Sequence, residues 1–161
     1  MKKYFSLLLL VLSFNLYAET NLANTPLKDL NGNQVTLEQY KGKSVYIKMW
    51  ASWCSICLAG LDEIDQLSAD PNKDYEVITI VSPDYRGEKE TAKFIKWYKG
   101  LNYQNITVLL DENAKIVKEA KVRGYPSSVF VDQNLNIQKV IAGHLTISQI
   151  DESIKKFAKS H

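Results

Sequence analysis

Cysteine is nearly absent: the 161 residues hold two, Cys54 and Cys57, separated by Ser55 and Ile56. A bridge between residues this close constrains the unfolded chain little, so a purely structural staple is the weak reading. Redox chemistry or metal binding are left. Histidine is as scarce, with only His144 and His161, and both read as surface residues. No repeat, low-complexity stretch or block of like charge interrupts the chain. Nor does any apolar run reach the roughly 20 residues that a spanning helix needs. The run from Phe5 to Phe14 follows Lys2 and Lys3 and precedes Leu16-Tyr17-Ala18. That order is expected of a secretory signal peptide, residues 1–18, cut after Ala18. Leu16 is bulkier than the small residue usual at that place before a cut, so an uncleaved anchor is the alternative, and no cysteine stands there to carry a lipid.

An excess of charge is lacking too. Residues 1–18 carry two of the 20 basic residues and none of the 18 acidic ones, so the remainder balances at 18 against 18. Nucleic acid is therefore not an expected partner. Removing 18 of the 161 residues leaves 143, residues 19–161, enough for one domain with its own core.

What is present is an alternation of short apolar runs. Leu27 to Leu30 and Gln34 to Leu37 flank Asn31-Gly32-Asn33 and predict a leading hairpin. Ser44 to Trp50 reads as a core strand, and Leu58, Leu61, Ile64 and Leu67 then recur at helical spacing until Pro71. Tyr75 to Val81 predicts a strand, Glu88 to Tyr98 a helix, Thr107 to Leu110 a strand and Ala114 to Ala120 a short helix. Ser127 to Val131 and Ile137 to Ala142 form two more strands around the turn Asp132 to Asn136, and Ser148 to Lys159 closes the chain as an amphipathic helix. Parallel strands need crossovers, so this order predicts an α/β fold: a central mixed sheet with helices on both faces.

Trp53-Cys54-Ser55-Ile56-Cys57 follows the core strand and opens a helix. Unpaired N–H groups at a helix start favour thiolate over thiol, which makes Cys54 the candidate nucleophile. Cys57, inside the first turn and buried, is the candidate resolving thiol.

The segment Met49-Trp50-Ala51-Ser52-Trp53-Cys54-Ser55-Ile56-Cys57 resembles the active-site segment of thioredoxin-like proteins, and Arg123-Gly124-Tyr125-Pro126 resembles their later loop. The likeness runs over residues 25 to 158, and the extra amino-terminal hairpin and inserted helix near Glu88 are similar to the exported TlpA/ResA-like branch. Val81-Ser82-Pro83 and the stretch from Phe94 to Tyr103 resemble the amino-terminal thioredoxin domain of secreted, fused methionine sulfoxide reductases. The resemblance implies a thioredoxin-like fold and a thiol-disulfide oxidoreductase whose redox-active disulfide is Cys54–Cys57, with no other cofactor and no metal. It implies a cis bond before Pro126, and Trp53, Tyr125 and Pro126 as the substrate-binding surface. Its expected partners are client protein disulfides, a methionine sulfoxide reductase among them, and a membrane thiol transporter as reductant, with cytochrome c maturation as the rival pathway. The dipeptide Ser55-Ile56 holds no histidine, which favours a reductase over an oxidant.

Two positions depart from the family. Lys48 stands where thioredoxin has a buried aspartate, and Gly60 where TlpA/ResA-like proteins commonly have a glutamate. The usual carrier of the Cys57 proton is thus missing. Lys48 itself either points its ammonium toward the site or, the reading favoured here, extends to solvent at the sheet's edge or end. Two other classes remain in view: a copper(I) carrier using Cys54, Cys57 and His144, and a peroxidase, against which the residues before Cys54, Met-Trp-Ala-Ser-Trp, lack the Pro and Thr that position peroxide.

Overall fold

The structure is a computed structural model that describes residues 19–159. The signal-peptide reading of residues 1–18 lies outside the described residues. Among the described residues, no helix is long and apolar enough to cross a membrane.

Strands β1 (Leu27–Lys28) and β2 (Gln34–Val35) pair antiparallel as the leading hairpin. The Asp29 carboxylate builds the turn by accepting from the Asn31 and Asn33 N–H groups, and Gly32 supplies the positive φ of 85° that the reversal needs. β3 (Val45–Met49), β4 (Glu76–Val81), β5 (Val108–Leu110), β6 (Ser127–Val131) and β7 (Ile137–Ala142) complete a seven-stranded sheet in the order β2-β1-β5-β4-β3-β6-β7. The β3–β4 and β4–β5 pairs are parallel, whereas β6 runs antiparallel to β3, and β7 to β6. β3 therefore lies inside the sheet with a neighbour on each side, and its last residue, Met49, lies opposite Ser127, the first of β6.

Period-2 alternation divides β3 between two cores. Val45, Ile47 and Met49 face Ile116 and Val117 of α4 (Lys115–Glu119). Tyr46 and Trp50 face the opposite way, toward Cys57 of α1 (Ser55–Ala59), Leu61 and Ile64 of α2 (Leu61–Ala69), Phe94 of α3 (Thr91–Lys99) and Ile150 of α5 (Ile147–Ser153). Helices thus cover both faces, as the alternation predicts. The Trp50 ring meets Phe94 edge-on at 5.8 Å and Trp97 at 6.3 Å, an aromatic floor beneath the cysteine segment.

Three boundaries depart from the sequence reading. The helix after the cysteines is two helices, broken at Gly60: its N–H turns back to the Cys57 carbonyl at 3.2 Å, an i to i+3 tightening, while its own carbonyl accepts from Ile64. Apolar spacing runs straight through the break and so does not reveal it. α3 starts at Thr91, not Glu88, because the Glu88 carboxylate is turned inward. The closing helix ends its α-helical part at Ser153 and continues as a π-turn, Ile154–Ala158.

Lys48 is also corrected. It is 2% exposed, so it does not extend to solvent. β3 has neighbours on both sides, and Lys48 shares a face with Tyr46 and Trp50, which α1 and α2 cover.

Candidate active site

Trp50 to Trp53 carry the chain from the end of β3 to Cys54, which caps α1 in an extended conformation (φ −89°, ψ 101°). The Cys57 N–H donates to Cys54 Sγ at 3.2 Å, so a first-turn donor of the helix sits on this sulfur. The two sulfurs are bonded, with Sγ atoms 2.11 Å and Cα atoms 5.2 Å apart. Both are largely covered, and the residual exposure differs in the sense needed for division of labour: Cys54 keeps 7% and Cys57 none.

The approach to Cys54 is apolar. Trp53 is 53% exposed and Ile56 62%, the large apolar side chains left open among the described residues. Tyr125 meets Trp53 with ring centroids 5.9 Å apart. The Tyr125-Pro126 bond is cis, as the resemblance implied, and Pro126 directly precedes β6, whose first residue pairs with the last of β3. The structure thus brings Trp53 and Tyr125 together and puts Pro126 at the same end of the sheet as the cysteines. Burial holds the Tyr125 phenol above its usual pKa, against the opposing charge of Arg86, so the ring presents a neutral hydroxyl.

Two parts of the site escape the sequence reading. Glu88, 6% exposed, reaches the cysteine segment: one carboxylate oxygen accepts from the Ser52 N–H at 2.5 Å, and the other from Ser52 Oγ and the Lys89 N–H, both at 2.6 Å. Lys89 Nζ completes the loop by donating to Ser52 Oγ at 2.7 Å, with its ammonium 5.0 Å over the Trp97 ring. No local pattern distinguishes this glutamate from a solvated one. The second part lies behind α1. A Cβ at Gly60 would come within 2.9 Å of the His144 imidazole and 3.1 Å of Lys48 Nζ, and His144 Nε2 contacts Glu63 Oε2 at 3.1 Å. Burial lowers the Lys48 pKa, partly offset by the Glu63 charge.

Among the described residues no group of three or more His, Cys, Asp or Glu side chains is placed to hold a metal ion, so Cys54, Cys57 and His144 are not gathered as a ligand set. The site's own chemistry is a dithiol that opens and closes one bond.

Comparison with known proteins agrees with this geometry. Residues 14–154 match the family described as Redoxin. The chain is 62% identical over 150 residues to a Haemophilus influenzae protein of uncharacterised role, covering 93% of this chain and 96% of that one. It is 26% identical over 134 residues to the thiol-disulfide oxidoreductase ResA of Bacillus thuringiensis, covering 83% and 74%. Among solved structures, the pneumococcal exposed lipoprotein thioredoxin Etrx1 of Streptococcus pneumoniae superposes with a TM-score of 0.77 at 41% identity, covering 81% of this chain and 97% of that one. The amino-terminal domain of PilB from Neisseria gonorrhoeae does so with a TM-score of 0.75 at 29% identity, covering 80% and 86%. The fold is thioredoxin-like.

Proposed function

The chain belongs to the Redoxin family, and from that premise we propose that it is an extracytoplasmic disulfide reductase that works through Cys54 and Cys57. The observation that carries the reading is the pair itself: a bonded Cys-x-x-Cys at a helix start, one cysteine keeping a small exposed area under a backbone donor and the other fully buried. In the reduced protein the Cys54 thiolate attacks a client disulfide, forming a mixed disulfide and expelling the client's first thiolate. Cys57 then loses its proton and attacks Cys54 Sγ. The client leaves with two thiols, and the protein holds the 54–57 disulfide, so one two-electron reduction is matched by one oxidation. A membrane thiol transporter is the proposed source of the electrons that reopen it.

Support for export comes from the signal-like residues 2–18 and from similarity to a lipoprotein thioredoxin described as exposed. The proposed client is a methionine sulfoxide reductase, which is left with a disulfide after each repair. The likeness of residues 94–103 to thioredoxin domains fused to such enzymes supports this choice, and the chain would then act on its client in trans. The test is to mix the reduced protein with an oxidised exported sulfoxide reductase and, separately, with a disulfide form of an apocytochrome c peptide. Fast exchange with the enzyme is expected; exchange with the peptide alone would move the assignment to cytochrome maturation.

Trp53 and Ile56 flank the reactive sulfur, so part of the client affinity should come from covering them. Truncating Trp53 to alanine removes an exposed ring that an interface would bury. Client KM should rise by roughly tenfold, equivalent to about 1.4 kcal/mol, while exchange with a small disulfide should be unchanged. An unaltered KM for protein clients would show that the ring only shields the sulfur.

A further inference from the structure

Cys57 is fully buried, yet it must shed a proton each time it clears a mixed disulfide. A route from this sulfur to solvent is therefore part of the site. Cys57 packs in the same core as Tyr46 and Trp50, the two residues that flank Lys48 on its face of β3. One helical turn beyond Cys57 comes Gly60, and a side chain there would lie over the turn before it. The position has no side chain, and its space is occupied from both sides: by Lys48 Nζ from beneath and by the His144 imidazole from outside, each about a hydrogen-bond length from where a Cβ would sit. Glu63, one turn further along α2, brings Oε2 to 3.1 Å from His144 Nε2. The outer side of this group opens into a cleft of about 200 Å³ lined by Ile56, Ala59, Gly60, Glu63 and His144. A buried cation, an imidazole and a carboxylate thus lead from the Cys57 turn to water.

We propose that His144, beside Glu63 in the space over Gly60, takes the proton that Cys57 gives up, while the Lys48 ammonium beneath stabilises the thiolate that forms. The assignment rests on the dithiol mechanism above. In the step itself the Cys57 S–H bond breaks and its proton passes to the imidazole, directly or through one water. The freed electron pair forms the Cys57–Cys54 bond, the bond from Cys54 to the client sulfur breaks, and the departing client thiolate takes up a proton from the imidazolium or from water. The charged groups placed beside the imidazole are Glu63 from α2 and, across the space over Gly60, Lys48 from β3; the Glu63 charge also reaches Tyr46, whose phenol burial pushes up to about 12. His144 acts through Cys57 as a positioning and proton-carrying residue.

The test separates the two sulfur steps. Reduced protein is mixed in a stopped-flow instrument with a symmetrical aromatic disulfide whose released thiolates are coloured. Attack by Cys54 releases one equivalent, and attack by Cys57 on the mixed disulfide releases the second. His144→Gln keeps a polar contact to Glu63 but carries no proton. It should leave the first phase unchanged and slow the second by about 100-fold, the low end of positioned proton transfer. Its second phase should also climb about tenfold per pH unit below the thiol's pKa, because only spontaneous thiolate then reacts; the wild-type phase should be flatter. Pairing His144→Ala with Gly60→Glu builds a carboxylate into the vacated space beside Lys48 and should restore the second phase. A wild-type-like second phase and pH profile in His144→Gln would overturn the assignment, as would equal slowing of both phases or failure of the double variant to recover. A wild-type protein that releases only one equivalent would instead sink the dithiol mechanism on which the assignment rests.

Discussion

Cys54→Ser should abolish disulfide exchange, whereas Cys57→Ser should still react once and then stall as a mixed disulfide with its client. The difference follows from where the two sulfurs sit. Cys54 keeps a small exposed area next to the open Trp53, with the Cys57 N–H directed at its sulfur. That donor stabilises negative charge on Sγ, and a serine hydroxyl in its place has no accessible anion to attack a disulfide at neutral pH. Cys57 has no exposed surface, so it meets only the sulfur that Cys54 presents to it. Without it the first bond is made and not cleared. The expected loss for Cys54→Ser is complete within detection; for Cys57→Ser it is one turnover, with the client retained covalently on a non-reducing gel. Neither change should unfold the protein, because a bridge closing so short a loop adds little stability. Adducts that accumulate on Cys54→Ser and not on Cys57→Ser would reverse the two roles.

How much of this is legible in the sequence differs from element to element. The succession of strands and helices and the helical layer on each face follow from the spacing of apolar residues, and the cysteine pair at a strand-to-helix junction marks the site without any structure. The cis bond before Pro126 is available only through resemblance, since its neighbours alone suggest nothing beyond a turn. Lys48 is misread for a physical reason. A strand buried on both faces is apolar at every other position too, so the run Val45 to Trp50 shows no contrast between an inward and an outward side from which to place a charge. Its true face follows from Tyr46 and Trp50 on either side of it, but a buried ammonium also needs room. That room is Gly60, and the absence of a side chain does not announce what fills the space. Glu88 is missed likewise, for it reaches the cysteine segment from a loop 34 residues from Cys54; His144 is the surface residue expected, but its approach to Gly60 spans 84 residues, a distance that periodicity does not cover.

Glu88→Ala should be the most destabilising single change at the site, and it should slow exchange without removing a sulfur. The carboxylate satisfies two backbone donors, the Ser52 and Lys89 N–H groups, and the Ser52 hydroxyl. Water cannot readily replace it, since both Ser52 and Glu88 are 6% exposed. Each buried donor left without an acceptor costs about 1–3 kcal/mol, so losing the group should cost about 3 kcal/mol after partial relaxation. For a domain of this size that lowers Tm by roughly 10 °C. The Lys89 ammonium keeps Ser52 Oγ and the Trp97 face. Function enters through Ser52, which stands two residues before Cys54 and whose N–H is fixed by this carboxylate alone in the described residues. Freed from it, the segment from Trp50 to Cys54 should hold the nucleophile less firmly over α1, and the rate of the first sulfur attack should fall. Glu88→Gln keeps the shape and one acceptor but turns an NH2 toward the remaining donors, so it should recover only part of both losses. Thermal unfolding of the reduced and oxidised proteins, set beside the first-phase rate, decides the matter: a Tm within about 2 °C of wild type for Glu88→Ala, equivalent to less than roughly 1 kcal/mol, would mean that the network orders the segment without stabilising the fold.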